Sequence, residues 1–189
     1  MGLNTIVLAA GFSRRFGSAK QLFEAGGEPL VRRAARVASE VAPAIVVIPR
    51  DAPAIRDALR GLDVAIVENA EAEEGMASSI RAGVRACNGD VLLLVCDQPG
   101  VTAAHLRSLA TLGTPLAASG YDGTFGVPAF FAAQYREELL ALRGDAGAKG
   151  VLAAHRDALG VVPLAEAEDV DVPPATLSAF IAPSDKLRS

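Results

Sequence analysis

A turn-rich segment near the amino terminus, LAAGFSRRFGSAKQL (residues 8–22), combines small residues, glycines and cations. A triphosphate needs backbone N–H groups that are free to converge on it and positive side chains that neutralise its charge. The segment supplies both, although it is not a Walker A loop, because no Gly-Lys-Ser/Thr ends it. It predicts a phosphate site, with a basic surface turn as the alternative. Its candidate ligand-binding residues are Leu8, Ala9, Ala10, Gly11, Ser13, Arg14, Arg15 and Lys20.

Two acidic segments contain carboxylates that could hold a metal ion. Asp97 in VCDQPG (residues 95–100) closes an apolar strand, where a carboxylate can hold Mg²⁺ against phosphate oxygens. It could equally cap the Pro-Gly turn that follows it. In DVDVP (residues 169–173), Asp169 and Asp171 alternate along an extended segment, so only one of them can share a face with a given neighbour. That residue would supply a second metal ligand, and a solvated acidic loop is the alternative.

A fourth candidate segment, EEGMASSIRAG (residues 73–83), predicts a helix that begins near Gly75. Free backbone donors and the hydroxyls of Ser78 and Ser79 near its start could contact a base, a ribose or a phosphate. Ordinary helix capping explains the two serines nearly as well.

Apolar runs along the chain predict the scaffold that brings these segments together. Short runs rich in Val, Ile and Leu alternate with amphipathic stretches, which is typical of a parallel sheet covered by helices on both faces. The predicted strands are residues 4–8, 44–48, 63–67, 91–95, 115–118 and 126–131, with a last strand starting at Val161. The predicted helices are residues 30–41, 53–60, 77–86, 102–112, 134–142 and 147–155. We therefore expect a three-layer α/β fold with a mostly parallel sheet, in a single domain over residues 1–189.

Composition and charge exclude several classes of protein. The chain has 189 residues and a net charge of -4, which gives no general footprint for nucleic acid. No apolar run approaches the length of a membrane span, and the first residues show no secretory signal. Cys87 and Cys96 lack metal-site spacing, and Cys96 is expected to be a buried structural thiol. His105 and His155 are expected to be structural or surface residues. These features favour a cytoplasmic protein that binds neither nucleic acid nor membrane.

Taken together, the motifs resemble those of a known family. LAAGFSRRFGSAKQL is similar to the signature loop of NTP-transferase enzymes of the molybdenum cofactor nucleotidylyltransferase type. The nearest branch is that of the molybdenum cofactor cytidylyltransferase-like proteins. The similarity continues in the family's order over nearly the whole chain, through GEPLVRRA, GMASSIRAGV, CDQPGV, GVPAFF, RGDAGAKGVL and DVDVP.

The resemblance implies a Rossmann-like nucleotidyltransferase fold and a Mg²⁺-dependent enzyme. Such an enzyme transfers CMP from CTP to molybdopterin, releases pyrophosphate and can pass its product to a molybdoenzyme partner. The sequence Ala-Ala-Gly at residues 9–11, where the guanylyltransferase branch usually has Ala-Gly-Gly, favours CTP over GTP.

The resemblance also implies roles for individual residues. Asp97 and Asp171 match metal-binding positions, and Lys20 would neutralise the charge of the leaving pyrophosphate, with Arg15 as a further catalytic position. The remaining nucleotide-binding positions are Leu8, Ala9, Ala10, Gly11, Ser13, Arg14, Ser78, Ser79 and Gly83.

Two alternatives stay open at this point. One is the same chemistry with GTP as donor or another small phosphate as acceptor. The other is a non-catalytic carrier that binds a nucleotide or a pterin and delivers cofactor. Lys20, Asp97 and Asp171 argue against a carrier, which does not need metal-bound carboxylates.

Overall fold

The structure, a computed structural model, describes residues 2–11, 19–121 and 123–164. Predictions that involve Ser13, Arg14, Arg15, Asp169 and Asp171 therefore lie outside the described residues. The strands are β1 (Leu3–Leu8), β2 (Glu24–Ala25), β3 (Glu28–Pro29), β4 (Ala44–Pro49), β5 (Val64–Asn69), β6 (Asp90–Val95), β7 (Leu116–Tyr121), β8 (Thr124–Phe131) and β9 (Leu159–Pro163). The helices are α1 (Leu30–Ser39), α2 (Pro53–Ala58), α3 (Met76–Arg85), α4 (Ala103–Ala110), α5 (Arg136–Ala141) and α6 (Lys149–Ala154).

Seven of the described strands form one sheet, in the order β5-β4-β1-β6-β8-β7-β9. β5, β4, β1 and β6 are parallel neighbours, and β9 is parallel to β7. β8 is antiparallel to both of its neighbours, β6 and β7. The prediction of a mostly parallel sheet is confirmed. The direction of β8 is not readable from its apolar run, because buried strands of either direction have such runs.

Helices cover both faces of this sheet. One face packs against α3, α5 and α6, with Ile6 and Leu93 buried beneath them. The other face packs against α1, α2 and α4, over Val7 and Leu94. Successive strand residues point to opposite faces, so a strand buried on both sides must be apolar throughout, and this confirms the three-layer α/β prediction. Each described helix is too short or too polar to traverse a bilayer.

The carboxyl ends of β1 and β6 lie side by side, since Leu8 pairs with Val95. β1 is also the point where the strand order reverses, because the chain first adds β4 on one side of β1 and later adds β6 on the other. In an open α/β sheet, a crevice forms outside the carboxyl ends of the strands at such a point. The residues that follow Leu8 and Val95 are therefore placed at this crevice.

Candidate active site

A cleft of about 530 Å³ opens at the carboxyl ends of β1 and β6. The backbone after β1, the start of α3, the end of β6 and the segment before α6 all contribute to its lining. It brings together residues from three of the segments that the sequence singled out. The predicted site residues that line it are Leu8, Ala9, Ala10, Gly11, Lys20, Ser79 and Asp97.

Lys20 and Asp97 form an ion pair inside the cleft. Lys20 Nζ lies 2.9 Å from Asp97 Oδ2, and the two side chains are 14% and 27% exposed. Lys20 opens a short 3-10 helix that follows the loop after β1, and Asp97 lies two residues beyond β6. The cleft thus holds a cation suited to phosphate and a carboxylate suited to a divalent metal, within one hydrogen bond of each other.

The turn that carries Asp97 is held from two sides. From α1, Arg33 Nε donates to the carbonyl oxygen of Pro99 at 2.9 Å. From within the turn, Gln98 Nε2 donates to Tyr121 Oη at 3.1 Å. These contacts tie the turn to α1 and to the end of β7, so the backbone that presents Asp97 is fixed by neighbours outside the cleft.

Gln21 holds the backbone after β1 in place. The residue is buried, and its Nε2 donates to the carbonyl oxygens of Ala9 at 2.9 Å and Gly11 at 2.7 Å. Because a trans peptide directs its C=O and its N–H in opposite directions, the bond to Ala9 turns the N–H of Ala10 away from Gln21. Sequence reasoning missed this residue. Its one signal is an amide side chain beside Lys20, which does not reveal two carbonyl partners.

Asn69, the last residue of β5, anchors the start of α3. Its Nδ2 donates to Ser78 Oγ at 2.8 Å and to Ser79 Oγ at 3.0 Å. Ser78 Oγ in turn donates to the carbonyl oxygen of Gly75 at 2.8 Å. The two serines therefore differ: Ser79 lines the cleft, whereas the hydroxyl of Ser78 is engaged within the helix start. The sequence assigned both serines one role because both lie near the start of the predicted helix, but adjacent helical residues point in different directions.

Gly83 is not among the described residues that line the cleft, and its implied ligand role stays a prediction. A Cβ atom at Gly83 would lie 2.5 Å from Ile6 Cγ2 and 3.2 Å from Val47 Cγ2, both in the sheet below α3. The missing side chain lets α3 approach the sheet closely. Gly83 lies one helical turn beyond Ser79, where α3 is over the sheet.

A buried arginine ties the start of α3 to the loop before α6. The side chain of Arg81 is 6% exposed, and its Nη1 donates to Glu74 Oε1 and to the carbonyl oxygen of Leu142, each at 2.8 Å. Glu74 Oε1 also accepts from the N–H of Gly144 at 3.1 Å. The Arg81 hydrogen bond, aided by that N–H, lowers the pKa of the Glu74 carboxyl to about 2. This network fixes the loop from which Asp145 borders the cleft.

Thiol and imidazole groups are not placed for catalysis in the described cleft. Cys96 borders it, but burial raises the pKa of the Cys96 thiol to about 12, so the prediction of a buried structural thiol is confirmed. His105 is buried elsewhere, with Nε2 at 2.8 Å from Ser119 Oγ, and burial lowers its pKa. His155, just beyond α6, contacts Glu138 on α5 at an exposed position. The described cleft therefore offers charge, backbone donors and hydroxyl groups.

The profile of a protein family described as "MobA-like NTP transferase domain" matches residues 5–159. The chain belongs to the MobA-like NTP transferase family. It is a nucleotidyltransferase, as the sequence predicted. The matched range contains every described residue that lines the cleft, from Leu8 to Asp145.

The chain is also similar to individual proteins. The purine catabolism protein PucB of Bacillus subtilis (strain 168) is 30% identical over 112 residues. That match covers 54% of this chain and 55% of PucB, so the chain spans about half the length of this curated relative. Rv0371c from Mycobacterium tuberculosis H37Rv is 27% identical with a TM-score of 0.75, covering 95% of this chain and 97% of that one. Molybdopterin-guanine dinucleotide biosynthesis protein A from Archaeoglobus fulgidus shares the fold. It is 19% identical with a TM-score of 0.61, covering 85% of this chain and 83% of that one.

The cleft at the carboxyl ends of β1 and β6 is chemically suited to a divalent metal. Rv0371c has also been solved in complex with manganese, and that structure is 25% identical with a TM-score of 0.74, covering 97% of this chain and 100% of that one. In this chain, Asp97 offers hard oxygen ligands beside the predicted phosphate site. Across residues 2–11, 19–121 and 123–164, no group of three or more His, Cys, Asp or Glu could hold a metal ion. The Asp97 carboxylate fits an ion that shares its ligands with substrate phosphates, which is how Mg²⁺ is usually bound.

Proposed function

We propose that this chain transfers CMP from CTP to a molybdopterin-type acceptor and releases pyrophosphate. The observation that carries the proposal is the Lys20–Asp97 pair, set in a cleft lined by the backbone of residues 9–11. A cation, a carboxylate and a strand end of small residues are together the groups that a nucleoside triphosphate with its divalent metal requires.

The triphosphate lies along the loop that follows β1. The engagement of the Ala9 and Gly11 carbonyls by Gln21 keeps these oxygens from facing an anion. Lys20 exchanges its contact with Asp97 for the phosphates and neutralises charge on the leaving pyrophosphate. In this proposal Ser13, Arg14 and Arg15 belong to the same loop and add a hydroxyl donor and two further charges.

The reaction is an in-line displacement at the α-phosphorus of CTP. A phosphate oxygen of the acceptor forms a new bond to that phosphorus, and the bond from the phosphorus to the bridging oxygen breaks. The electron pair of the broken bond leaves with pyrophosphate. The attacking oxygen is already anionic, so no general base is needed. Catalysis comes from positioning and from neutralised charge.

Asp97 would hold Mg²⁺ in the complex, with Asp171 as a second ligand. The ion, when bound, supplies positive charge against the phosphate oxygens. The contribution of this chain is to hold the Asp97 carboxylate at the β6 end, where Arg33 and Gln98 fix the turn before any ligand arrives.

Ala10 supports the choice of CTP. The residue is 1% exposed and lines the cleft, so its methyl group fills space that a glycine would leave open. The preference for CTP follows from the Ala-Ala-Gly sequence, in which Ala10 stands where the guanylyltransferase branch usually has glycine. A molybdoenzyme that receives the product is the partner expected for this activity.

The test is pyrophosphate release with Mg²⁺ from CTP, GTP, ATP and UTP, each with and without molybdopterin, combined with mass spectrometry of the product. We expect release from CTP that depends on molybdopterin, and a product whose mass exceeds that of the acceptor by one CMP unit. Pyrophosphate release from GTP instead of CTP would support nucleotidyl transfer and refute the preference for CTP. Tight nucleotide binding without pyrophosphate release from any of the four NTPs would favour a non-catalytic carrier over the proposed enzyme.

A further inference from the structure

Both the NH₂ group and the carbonyl oxygen of the Asn69 side chain make hydrogen bonds. Nδ2 donates to Ser78 and Ser79, while Oδ1 accepts from the backbone N–H of Glu71 at 2.9 Å. The N–H of Glu71 can only donate, so it decides which end of the amide is the oxygen. Asn69 is 4% exposed, so water does not compete for these bonds.

This orientation determines what the two serine hydroxyls can do. Each hydroxyl has one hydrogen, and each already accepts a hydrogen from Asn69. Ser78 donates its own hydrogen to the carbonyl oxygen of Gly75. Ser79 is 5% exposed and lines the cleft, and the described part of the chain gives its hydrogen no acceptor. The hydrogen of Ser79 is thus a buried donor at the cleft wall.

We propose that Asn69 is a positioning residue that makes Ser79 a hydrogen-bond donor to the nucleoside part of the NTP. The inference rests on the proposed function, which places the triphosphate along the β1 loop with its cations. The start of α3 is then left to the base and ribose. The atom that Ser79 meets has a free lone pair: a carbonyl oxygen, a ring nitrogen or a ribose oxygen.

Asn69→Asp isolates this effect, because a carboxylate accepts hydrogen bonds but cannot donate them. In that variant the Ser79 hydroxyl donates to the introduced carboxylate and presents only lone pairs to the cleft. We expect Asn69→Asp and Ser79→Ala each to weaken CTP binding by about three- to tenfold, the scale of one neutral hydrogen bond. Because both changes remove the same donor, the double variant should bind no more weakly than either single one.

The measurement is isothermal titration of CTP and, separately, of inorganic pyrophosphate into the full chain without acceptor. Pyrophosphate lacks the nucleoside, so its Kd should stay within about twofold of the wild-type value in both variants. Asn4→Asp is the matched control, because Asn4 Nδ2 makes one bond to the Asn88 carbonyl oxygen at 3.0 Å, at the amino end of β1 away from the cleft. It should leave both constants unchanged.

The outcomes distinguish the role of Asn69 from the proposed function. The role of Asn69 is supported if both single variants lose affinity for CTP but not for pyrophosphate, and if the double variant loses no more CTP affinity than either single one. An unchanged CTP Kd in Asn69→Asp, or an equal loss for CTP and pyrophosphate, overturns it while the proposed function stands. A wild-type chain that binds none of the four NTPs overturns the proposed function and this inference with it.

Discussion

Replacing Gln21 with methionine keeps the length of the side chain and removes both hydrogen bonds to the β1 loop. The bonds to Ala9 and Gly11 are 2.9 and 2.7 Å long, and a net worth of about 0.5–1.5 kcal/mol each gives a loss of about 1–3 kcal/mol in the free energy of unfolding. For a chain of this size, 1 kcal/mol corresponds to about 2–4 °C, so Tm should fall by about 2–12 °C. The change therefore lies within easy reach of a thermal melt.

The same substitution should also weaken NTP binding. The loop is no longer held in a form that directs its N–H groups at phosphate, and fixing one residue of backbone costs about 1–2 kcal/mol, roughly a 5- to 30-fold rise in KM for the NTP. The assay combines circular dichroism melts with initial rates of pyrophosphate release. Gln134→Met, the same change at an exposed residue near β8, is the control and should alter neither quantity. A Gln21→Met variant with wild-type Tm and wild-type KM would refute the role given to this amide.

Three further results follow from the same structure. Gly83→Ala should lower stability by about 1–3 kcal/mol through overpacking, because the new methyl would meet Ile6 Cγ2 at 2.5 Å, and a raised CTP Kd without a change in Tm would contradict this. Since Arg81 lowers the pKa of Glu74 from 4.5 to about 2, the stability it gives is complete above pH 4.5 and lost as pH falls toward 2. Denaturant titrations should show that the difference in the free energy of unfolding between wild type and Arg81→Met narrows as pH falls from 4.5 toward 2. A difference that stays constant over this range would contradict the stabilising role of the Arg81–Glu74 pair. The Cys96 thiol, with its pKa near 12, should react with Ellman's reagent at pH 8 only after unfolding; fast labelling of the native chain would disprove its burial.

The scaffold was predictable because burial dictates its pattern. β1, β4 and β6 are buried on both faces, so their sequences are apolar without interruption, and the polar segments between them must be helices or loops. The convergence of Lys20 and Asp97 was predictable for the same reason. Both follow the ends of parallel strands, and such ends meet at one edge of a sheet.

The hydrogen bonds of individual polar side chains were not predictable in this way. The partners of Gln21 are carbonyl groups, which every residue has, so its sequence position carries no sign of them. Asn69 likewise reaches two serines only because β5 ends beneath the start of α3. Gly83 carries a packing role that its motif does not reveal, since its missing side chain lets α3 lie close to Ile6.

The most direct test of nucleotidyl transfer at this cleft is the rate of molybdopterin-dependent pyrophosphate release from CTP in Asp97→Asn, compared with Asp90→Asn. Asp90 is at the other end of β6, where its Oδ1 accepts from the Ala133 N–H at 2.8 Å, a bond that asparagine can keep. We predict wild-type release in Asp90→Asn and a loss of roughly a hundredfold or more in Asp97→Asn, the scale of removing one electrostatic contact to a transition state. Release at near wild-type rates from a folded Asp97→Asn variant would contradict the placement of the reaction at the Lys20–Asp97 pair.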